Sequence, residues 1–163
     1  MMVSQLVPVT NISIGWPDTQ LKHSNSKWDL IHNIVTFLCE RNEISNEVCK
    51  KTILDVNERE KSMTTAIGHG IAIPHASITN LKKPIGACII LKDGVDFEAI
   101  DHEPVKIVIL VLLPEKDYKK HIRTLSSIVD LTSQPNIKEK LLEMKTPQQV
   151  WQEICNFEKS PVI

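Results

Sequence analysis

The histidines are the residues in this sequence with the clearest capacity for chemistry, and there are six of them. His75 directly follows Pro74, and His69 lies between Gly68 and Gly70. Proline cannot donate to a sheet ladder, so strand pairing should stop there and leave His75 at a strand end. A partly exposed imidazole held in this way can act as a nucleophile or as an acid and base. The spacing alone slightly favours a structural histidine in a capped loop.

The other histidines have weaker signals. His23 and His32 belong to the N-terminal loop and the first predicted helix, where we expect solvated or structural roles. His102 lies in a predicted turn. His121 opens a predicted helix and is therefore the third histidine of interest.

Other kinds of site fit the sequence poorly. His69 and His75 are separated across a strand, without the helical His-x-x-x-His pair or carboxylate cluster of a zinc site. Ser62, Ser77 and Ser126 lack the glycine pattern of a nucleophile elbow. The glycines at 68 and 70 match neither a dinucleotide nor a nucleotide-phosphate fingerprint. We therefore expect no metal site.

The elements that must position these histidines follow from the hydrophobic periodicity. Residues 1–25 show only short apolar stretches, and no regular element is predicted there. Along the sequence, helices are predicted before and after a central group of strands. Asp93-Gly94 is predicted to be a turn between two of these strands. This order predicts one α/β sandwich domain over residues 1–163, with a mixed sheet between helices. The predicted helices are 28–38, 45–61, 115–131, 137–142 and 147–157, and the predicted strands are 64–67, 71–74, 85–91 and 105–113.

The composition and net charge argue against several classes of protein. Of 163 residues, 42% are apolar and 24% charged, which is typical of globular proteins. The formal charge is −1 and no basic block occurs, so we expect no nucleic-acid partner. The longest apolar run, 107–113, is too short to cross a bilayer. The first residues do not resemble a signal peptide.

The four cysteines are widely scattered. No pair has the two-residue spacing of a zinc or redox motif. Cys39 and Cys88 lie in apolar runs and are predicted to be small buried side chains. We therefore expect reduced thiols and a cytoplasmic location.

One long segment resembles a known family. Residues 59–75 contain an Arg59-Glu60 pair, a threonine-rich strand, a Gly-x-Gly turn and the run Ala72-Ile73-Pro74-His75. This order is similar to the active-site signature of fructose/mannitol-type enzyme IIA domains of the phosphoenolpyruvate-dependent sugar phosphotransferase system. The resemblance continues through 97–105 and 121–126 and covers roughly 6–157. The nitrogen-regulatory branch of the family is the most similar.

The resemblance implies roles for particular residues. His75 stands where the family carries its phosphorylated histidine, Arg59 where an arginine faces the phosphoryl group, and His121 where a second histidine lies. Glu60 and His69 are further candidate binding residues. The donor would be a histidine phosphocarrier protein, and no cofactor is implied.

Two positions depart from the family pattern. Ala76 follows His75, where the family commonly has glycine, and a positive φ at that alanine would be strained. His69 stands where asparagine is frequent, and could change the pKa of the site or the partner surface.

Three outputs are compatible with this pattern. The protein could relay phosphate to a sugar-permease domain, or regulate other proteins through the phosphorylation state of His75. It could also have kept the fold and lost phosphotransfer, but Arg59, His75 and His121 are all retained. No transporter domain is predicted within the 163 residues, and the sequence is most similar to the regulatory branch. The sequence therefore favours regulation.

Overall fold

The central feature is one mixed six-stranded sheet. The structure, a computed structural model, describes residues 2–19, 25–41 and 43–159. Within these ranges the strand order is β1-β5-β6-β3-β2, and β4 also pairs with β6. The β1–β5, β3–β6 and β4–β6 pairs are parallel, whereas β2–β3 and β5–β6 are antiparallel. The strands are β1 (Ile12–Ile14), β2 (Ala66–Gly68), β3 (Ile71–Ala72), β4 (His75–Ile78), β5 (Ile85–Val95) and β6 (Val105–Pro114).

Strand β6 is buried on both faces, as its apolar run predicts. Val108, Leu110 and Leu112 point into one apolar cluster, and the alternate residues Ile109 and Val111 point into the other. Both β3 and β4 pair with the same edge of β6, and the short break between them is Ile73-Pro74. This break is what places His75 at the start of a strand.

Helices cover both faces of the sheet. α2 and α3 pack on the cluster that contains Leu110, while α1, α4, α5 and α6 pack on the cluster that contains Ile109. The predicted α/β sandwich with a central mixed sheet is therefore confirmed. The helices are α1 (Val3–Leu6), α2 (Lys27–Glu40), α3 (Asn46–Ser62), α4 (Tyr118–Thr132), α5 (Ile137–Glu143) and α6 (Pro147–Lys159), with a 3-10 helix at Val9–Asn11.

Local capping explains where these helices begin. The Ser26 hydroxyl accepts a hydrogen bond from the Asp29 N–H at 3.1 Å, and the Thr146 hydroxyl accepts one from the Gln149 N–H at 3.2 Å. Pro147 occupies the first helical position of α6, where its missing N–H costs nothing. Every described helix is too short or too polar to span a bilayer.

Several local predictions need correction. Asp93-Gly94 is not a turn between strands, because β5 continues to Val95 with a register irregularity against β6 between Ile90 and Val95. The sequence also did not predict α1, β4 or β1: β4 resumes the pairing with β6 directly after Pro74, and β1 pairs in parallel with β5. The three residues of β1 are too few to give a periodic signal, so only the pairing partner defines them as a strand.

The cysteines also differ from expectation. Cys39 is buried as predicted, but it forms a disulfide with Cys49, so the prediction of reduced thiols is wrong for this pair. The packing of α2 against α3 brings their Cα atoms to 6.3 Å, a separation that permits the bond. Cys88 and Cys155 are free and buried. Burial raises the pKa of the Cys88 thiol to about 12, so it is unreactive.

Candidate phosphoryl-transfer site

The ring of His75 is oriented by a backbone carbonyl. His75 is the first residue of β4, and its Nδ1–H donates to the Ile73 carbonyl at 2.8 Å. A carbonyl can only accept, so the proton of the neutral ring is on Nδ1 and the lone pair is on Nε2. The half-buried His75 side chain lines an open cavity of about 600 Å³. Its Nε2 is therefore the candidate nucleophile.

The surroundings of His75 keep its ring neutral. Burial lowers the pKa of His75 below its ordinary value, and the positive charge of Arg59 lowers it further. The Ile73 carbonyl and the carboxylate of Glu60 oppose these effects and raise the pKa, but the net direction is down. A neutral imidazole with an available lone pair is the form that attacks phosphorus.

Arg59 lies in the last turn of α3 and lines the same cavity. Its Nη1–H donates to the Met63 carbonyl at 3.1 Å, just beyond the helix end. This bond uses one of the donors of the guanidinium, and the others can bind phosphate oxygens as a planar fork. The half-buried Arg59 is therefore held near His75 by the end of its own helix.

His121 is buried in the first turn of α4 and also lines the cavity. Its Nε2–H donates to the carbonyl of Pro114, the last residue of β6. Asp117 caps the helix by accepting from the Lys120 N–H at 3.1 Å. The structure thus brings His75, Arg59 and His121 around one cavity, from three different elements.

The polar rim of this cavity was not predicted from the sequence. Lys51, Asp55 and Glu58 project from α3, and the Lys51 Nζ lies 2.8 Å from the nearer carboxylate oxygen of Asp55. Their spacing along the helix places them on the face of Arg59, and that periodicity was the available signal. The other lining residues are Ala76, Ser77, Thr79, Leu113, Glu115, Ile122 and Leu125.

Glu60 does not line the cavity. Its carboxylate is buried and accepts hydrogen bonds from the Thr65 N–H at 3.1 and 3.2 Å and from the Thr65 hydroxyl at 2.6 Å. The Lys27 Nζ lies 3.2 Å from the same carboxylate. Glu60 therefore acts on the site by holding the chain after α3, and a direct binding role stays a prediction.

His69 lies apart from the cavity. It is exposed at the tip of the β2–β3 hairpin with φ 56°, in the left-handed region that asparagine tolerates better than most residues. Its N–H donates to the Asp101 carboxylate at 2.8 Å. His69 lines a different depression, together with Lys138 and Glu103. An effect of His69 on partners stays a prediction.

Ala76 is accommodated without strain. Within β4, Ala76 pairs with Leu112 of β6. Ala76 is not among the described residues that have a positive φ. It is also buried, so its methyl group packs into the core. The strain considered for this position therefore does not arise.

The remaining histidines do not reach the cavity in the described residues. His32 is half-buried in α2, and His102 is exposed in a turn. His23 lies outside the described residues. Within the described ranges, no three His, Cys, Asp or Glu side chains are grouped as metal ligands would be.

Comparison with protein families gives one match that covers most of the chain. Residues 18–156 match the family described as the phosphoenolpyruvate-dependent sugar phosphotransferase system, EIIA 2. The matched range includes the cavity and the whole of the sheet except β1.

Individual relatives carry names from two branches of that system. The chain is 37% identical over 93 residues to the "PTS system fructose-specific EIIA component" of Haloferax volcanii, covering 57% of this chain and 60% of that protein. It is 37% identical over 94 residues to a "Nitrogen regulatory protein" of Bradyrhizobium diazoefficiens, covering 58% and 61%. These matches span about three fifths of each relative. A "Nitrogen regulatory protein homolog" of Haemophilus influenzae is 28% identical over 156 residues, which is 93% of this chain and 90% of that one.

Solved structures have the same fold. The nitrogen regulatory protein IIA-Ntr from Neisseria meningitidis matches with a TM-score of 0.80 and 26% identity, covering 93% of this chain and 98% of that one. The IIA mannitol structure from Escherichia coli matches with a TM-score of 0.71 and 19% identity over 91% and 98%. At that identity the second match supports the fold alone.

Proposed function

Because the chain belongs to the EIIA 2 family of the phosphoenolpyruvate-dependent sugar phosphotransferase system, we propose that His75 accepts a phosphoryl group from a histidine phosphocarrier protein. The observation that carries this proposal is the Nδ1–H of His75 donating to the Ile73 carbonyl. That bond leaves Nε2 as the nucleophile in a cavity shared with Arg59 and His121.

The transfer step follows from this geometry. Nε2 of His75 attacks the phosphorus of the donor phosphohistidine, a new P–N bond forms, and the P–N bond of the donor breaks. The electron pair of the broken bond returns to the ring of the donor. The His75 ring becomes positively charged, and the Ile73 carbonyl stabilises that charge through Nδ1–H. A loose transfer of this kind depends on positioning and charge stabilisation more than on covalent help from the protein.

The other two residues act on the phosphoryl oxygens. The guanidinium of Arg59 pairs with them as a fork of donors. The ring of His121 is oriented by its Nε2–H bond to the Pro114 carbonyl and lines the same cavity, beside the position of the phosphoryl oxygens. The first turn of α4, which carries His121, also favours negative charge through its helix dipole.

We further propose a regulatory output, in which the phosphorylation state of His75 controls binding to other proteins. Relatives named as nitrogen regulatory proteins support this output, including one that aligns over 93% of the chain. The fructose-specific relative supports the alternative, a relay of phosphate to a permease domain. Both outputs depend on phosphoenolpyruvate made in the cytoplasm, so we propose that location, although a disulfide such as Cys39–Cys49 is uncommon there.

Intact-mass measurement tests the transfer. The protein is incubated with phosphoenolpyruvate, enzyme I and a histidine phosphocarrier protein, and its mass is recorded at alkaline pH because phosphohistidine is acid-labile. We expect one phosphoryl adduct in the wild type and none in His75→Ala. His102→Asn changes an exposed histidine in a left-handed turn, outside the cavity, and should keep the adduct. An adduct on His75→Ala, or none on the wild type, contradicts the proposal.

Adding a phosphoryl acceptor distinguishes the regulatory output from the permease relay. A fructose- or mannitol-type IIB domain is mixed with the phosphorylated protein. Loss of the phosphoryl group from His75 to that domain supports the permease relay, and its retention on His75 supports regulation.

A further inference from the structure

A second concave surface lies beside the His75 cavity and is lined by positive charge. It has a volume of about 620 Å³ and is formed by the loop before β5, the end of β6 and the first two turns of α4. Its cationic residues are Lys82, Lys83, Lys116, Lys120 and Arg123, all exposed. We call this surface, defined by those residues, the basic groove.

The positive charge of the basic groove is almost uncompensated. Among the described residues, Asp117 is the one acidic residue that lines the groove. One oxygen of Asp117 caps α4, and the other lies 3.7 Å from the Lys120 Nζ. Across the described ranges, no carboxylate lies within 4.0 Å of the charged nitrogens of the other four cationic residues. The whole chain has a formal charge of −1, so this cluster is a local concentration. Such a surface attracts acidic partners.

The floor of the basic groove is apolar. Leu81, Pro84 and Pro114 line it, and the Thr124 side chain at its base is buried. An apolar floor with a cationic rim is suited to a polypeptide that carries both carboxylates and apolar side chains.

The basic groove adjoins the transfer site. Along the β4–β6 pair, His75 is opposite Val111 and Ile78 is opposite Pro114, so the groove begins about 10 Å along the strand from His75. α4 links the two surfaces, with His121 lining the cavity and Arg123 lining the groove. A protein bound in the groove would therefore lie beside a phosphoryl group on His75.

We propose that the basic groove binds an acidic segment of a protein partner, in which carboxylates alternate with apolar side chains. The carboxylates pair with the lysines and Arg123, and the apolar side chains pack on Leu81 and the two prolines. This inference goes beyond phosphoryl transfer, because the groove is complete without any modification of His75.

Peptide binding to the unphosphorylated protein tests the proposal. The probe is a fluorescein-labelled peptide of alternating glutamate and leucine, and binding is followed by fluorescence anisotropy. We expect binding that weakens with added salt, and about tenfold weaker binding in the double variant Lys82→Glu/Arg123→Glu. The matched control is Lys92→Glu/Lys145→Glu, which makes the same change in net charge at exposed positions outside the groove and should bind as the wild type does.

Several results would overturn the proposal. One is an equal loss of binding in both double variants, which would indicate a general charge effect. Others are equal binding of a glutamine–leucine peptide, tighter binding of a mixed-sequence single-stranded oligonucleotide, or no peptide binding. Circular dichroism of each variant verifies folding. Because the assay uses no phosphoryl donor, failure here leaves the test of His75 phosphorylation unaffected.

Discussion

At the scale of single residues, the two cavity histidines use opposite ring nitrogens to bond backbone carbonyls. His75 donates Nδ1–H to the Ile73 carbonyl, and His121 donates Nε2–H to the Pro114 carbonyl. Each acceptor is a backbone carbonyl at the boundary of a strand, so the ring orientation is fixed by the sheet. His75 is left with Nε2 for attack on phosphorus.

The pKa of His75 gives a prediction at this scale. We expect it below the ordinary value of about 6.5, because burial is the largest cause of its shift. Arg59→Gln removes the second lowering cause, so the pKa of His75 should rise relative to the wild type. Arg123→Gln, outside the cavity, should leave it unchanged. NMR titration of the His75 ring measures all three, and a wild-type pKa above 6.5 would refute the role of burial.

The same shift has a consequence for stability. The folded pKa of His75 is depressed, so its contribution to folding is complete above the unfolded value near pH 6.5. As pH falls below that value, the unfolded chain binds the proton first and the contribution is lost. His75 therefore favours folding at neutral pH over folding in acid.

At the scale of elements, a buried ion pair fixes the end of α3 that carries Arg59. Lys27 is the first residue of α2, Glu60 lies in the last turn of α3, and their side chains are 4% and 0% exposed. The Lys27 Nζ also lies 3.4 Å from the Phe97 carbonyl. The pair thus joins two helices and the loop after β5, one residue from Arg59.

Breaking this pair should be costly. Lys27→Met leaves the Glu60 carboxylate buried without its cation, and we expect the free energy of unfolding to fall by about 3 to 5 kcal/mol. The double variant Lys27→Met/Glu60→Gln should recover part of that loss. Lys51→Met breaks the more exposed pair with Asp55 and should cost no more than about 0.5 kcal/mol. Urea unfolding measures each value, and equal losses for Lys27→Met and Lys51→Met would contradict the argument.

Most elements could be predicted from the sequence, because their apolar patterns are long. The helices from α2 to α6 and the strands β5 and β6 each carry such a pattern. β1 could not be predicted, because its three residues form a strand only through pairing with β5. The Cys39–Cys49 bond depends on the packing of α2 against α3, which no local spacing records.

The residues of the candidate site could likewise be predicted only in part. His75, Arg59 and His121 are identified by resemblance, and the structure places them around one cavity. The resemblance does not reveal that Glu60 is buried with Lys27, because both residues are polar and their pairing joins distant parts of the chain. Tertiary contacts decide which charged residues face the cavity.

At the scale of the whole molecule, the sheet separates two apolar clusters that share its central strands. Residues of β6 alternate between them, so neither cluster can lose its packing without disturbing the strand that supports the other. Trp16 and Trp28 pack against one cluster and Trp151 against the other. Tryptophan fluorescence can therefore report on each cluster separately.

This arrangement predicts one cooperative unfolding transition for the sequence predicted to be a single domain. Ile154 is fully buried in the Trp151 cluster, and Ile154→Ala should cost about 2 to 5 kcal/mol. In a Trp151→Phe background only Trp16 and Trp28 report, both from the opposite cluster. If the clusters unfold together, Ile154→Ala shifts the denaturation midpoint reported by Trp16 and Trp28 fluorescence as far as it shifts the midpoint measured by circular dichroism. A midpoint at Trp16 and Trp28 that does not move would mean that the two faces of the sheet unfold independently.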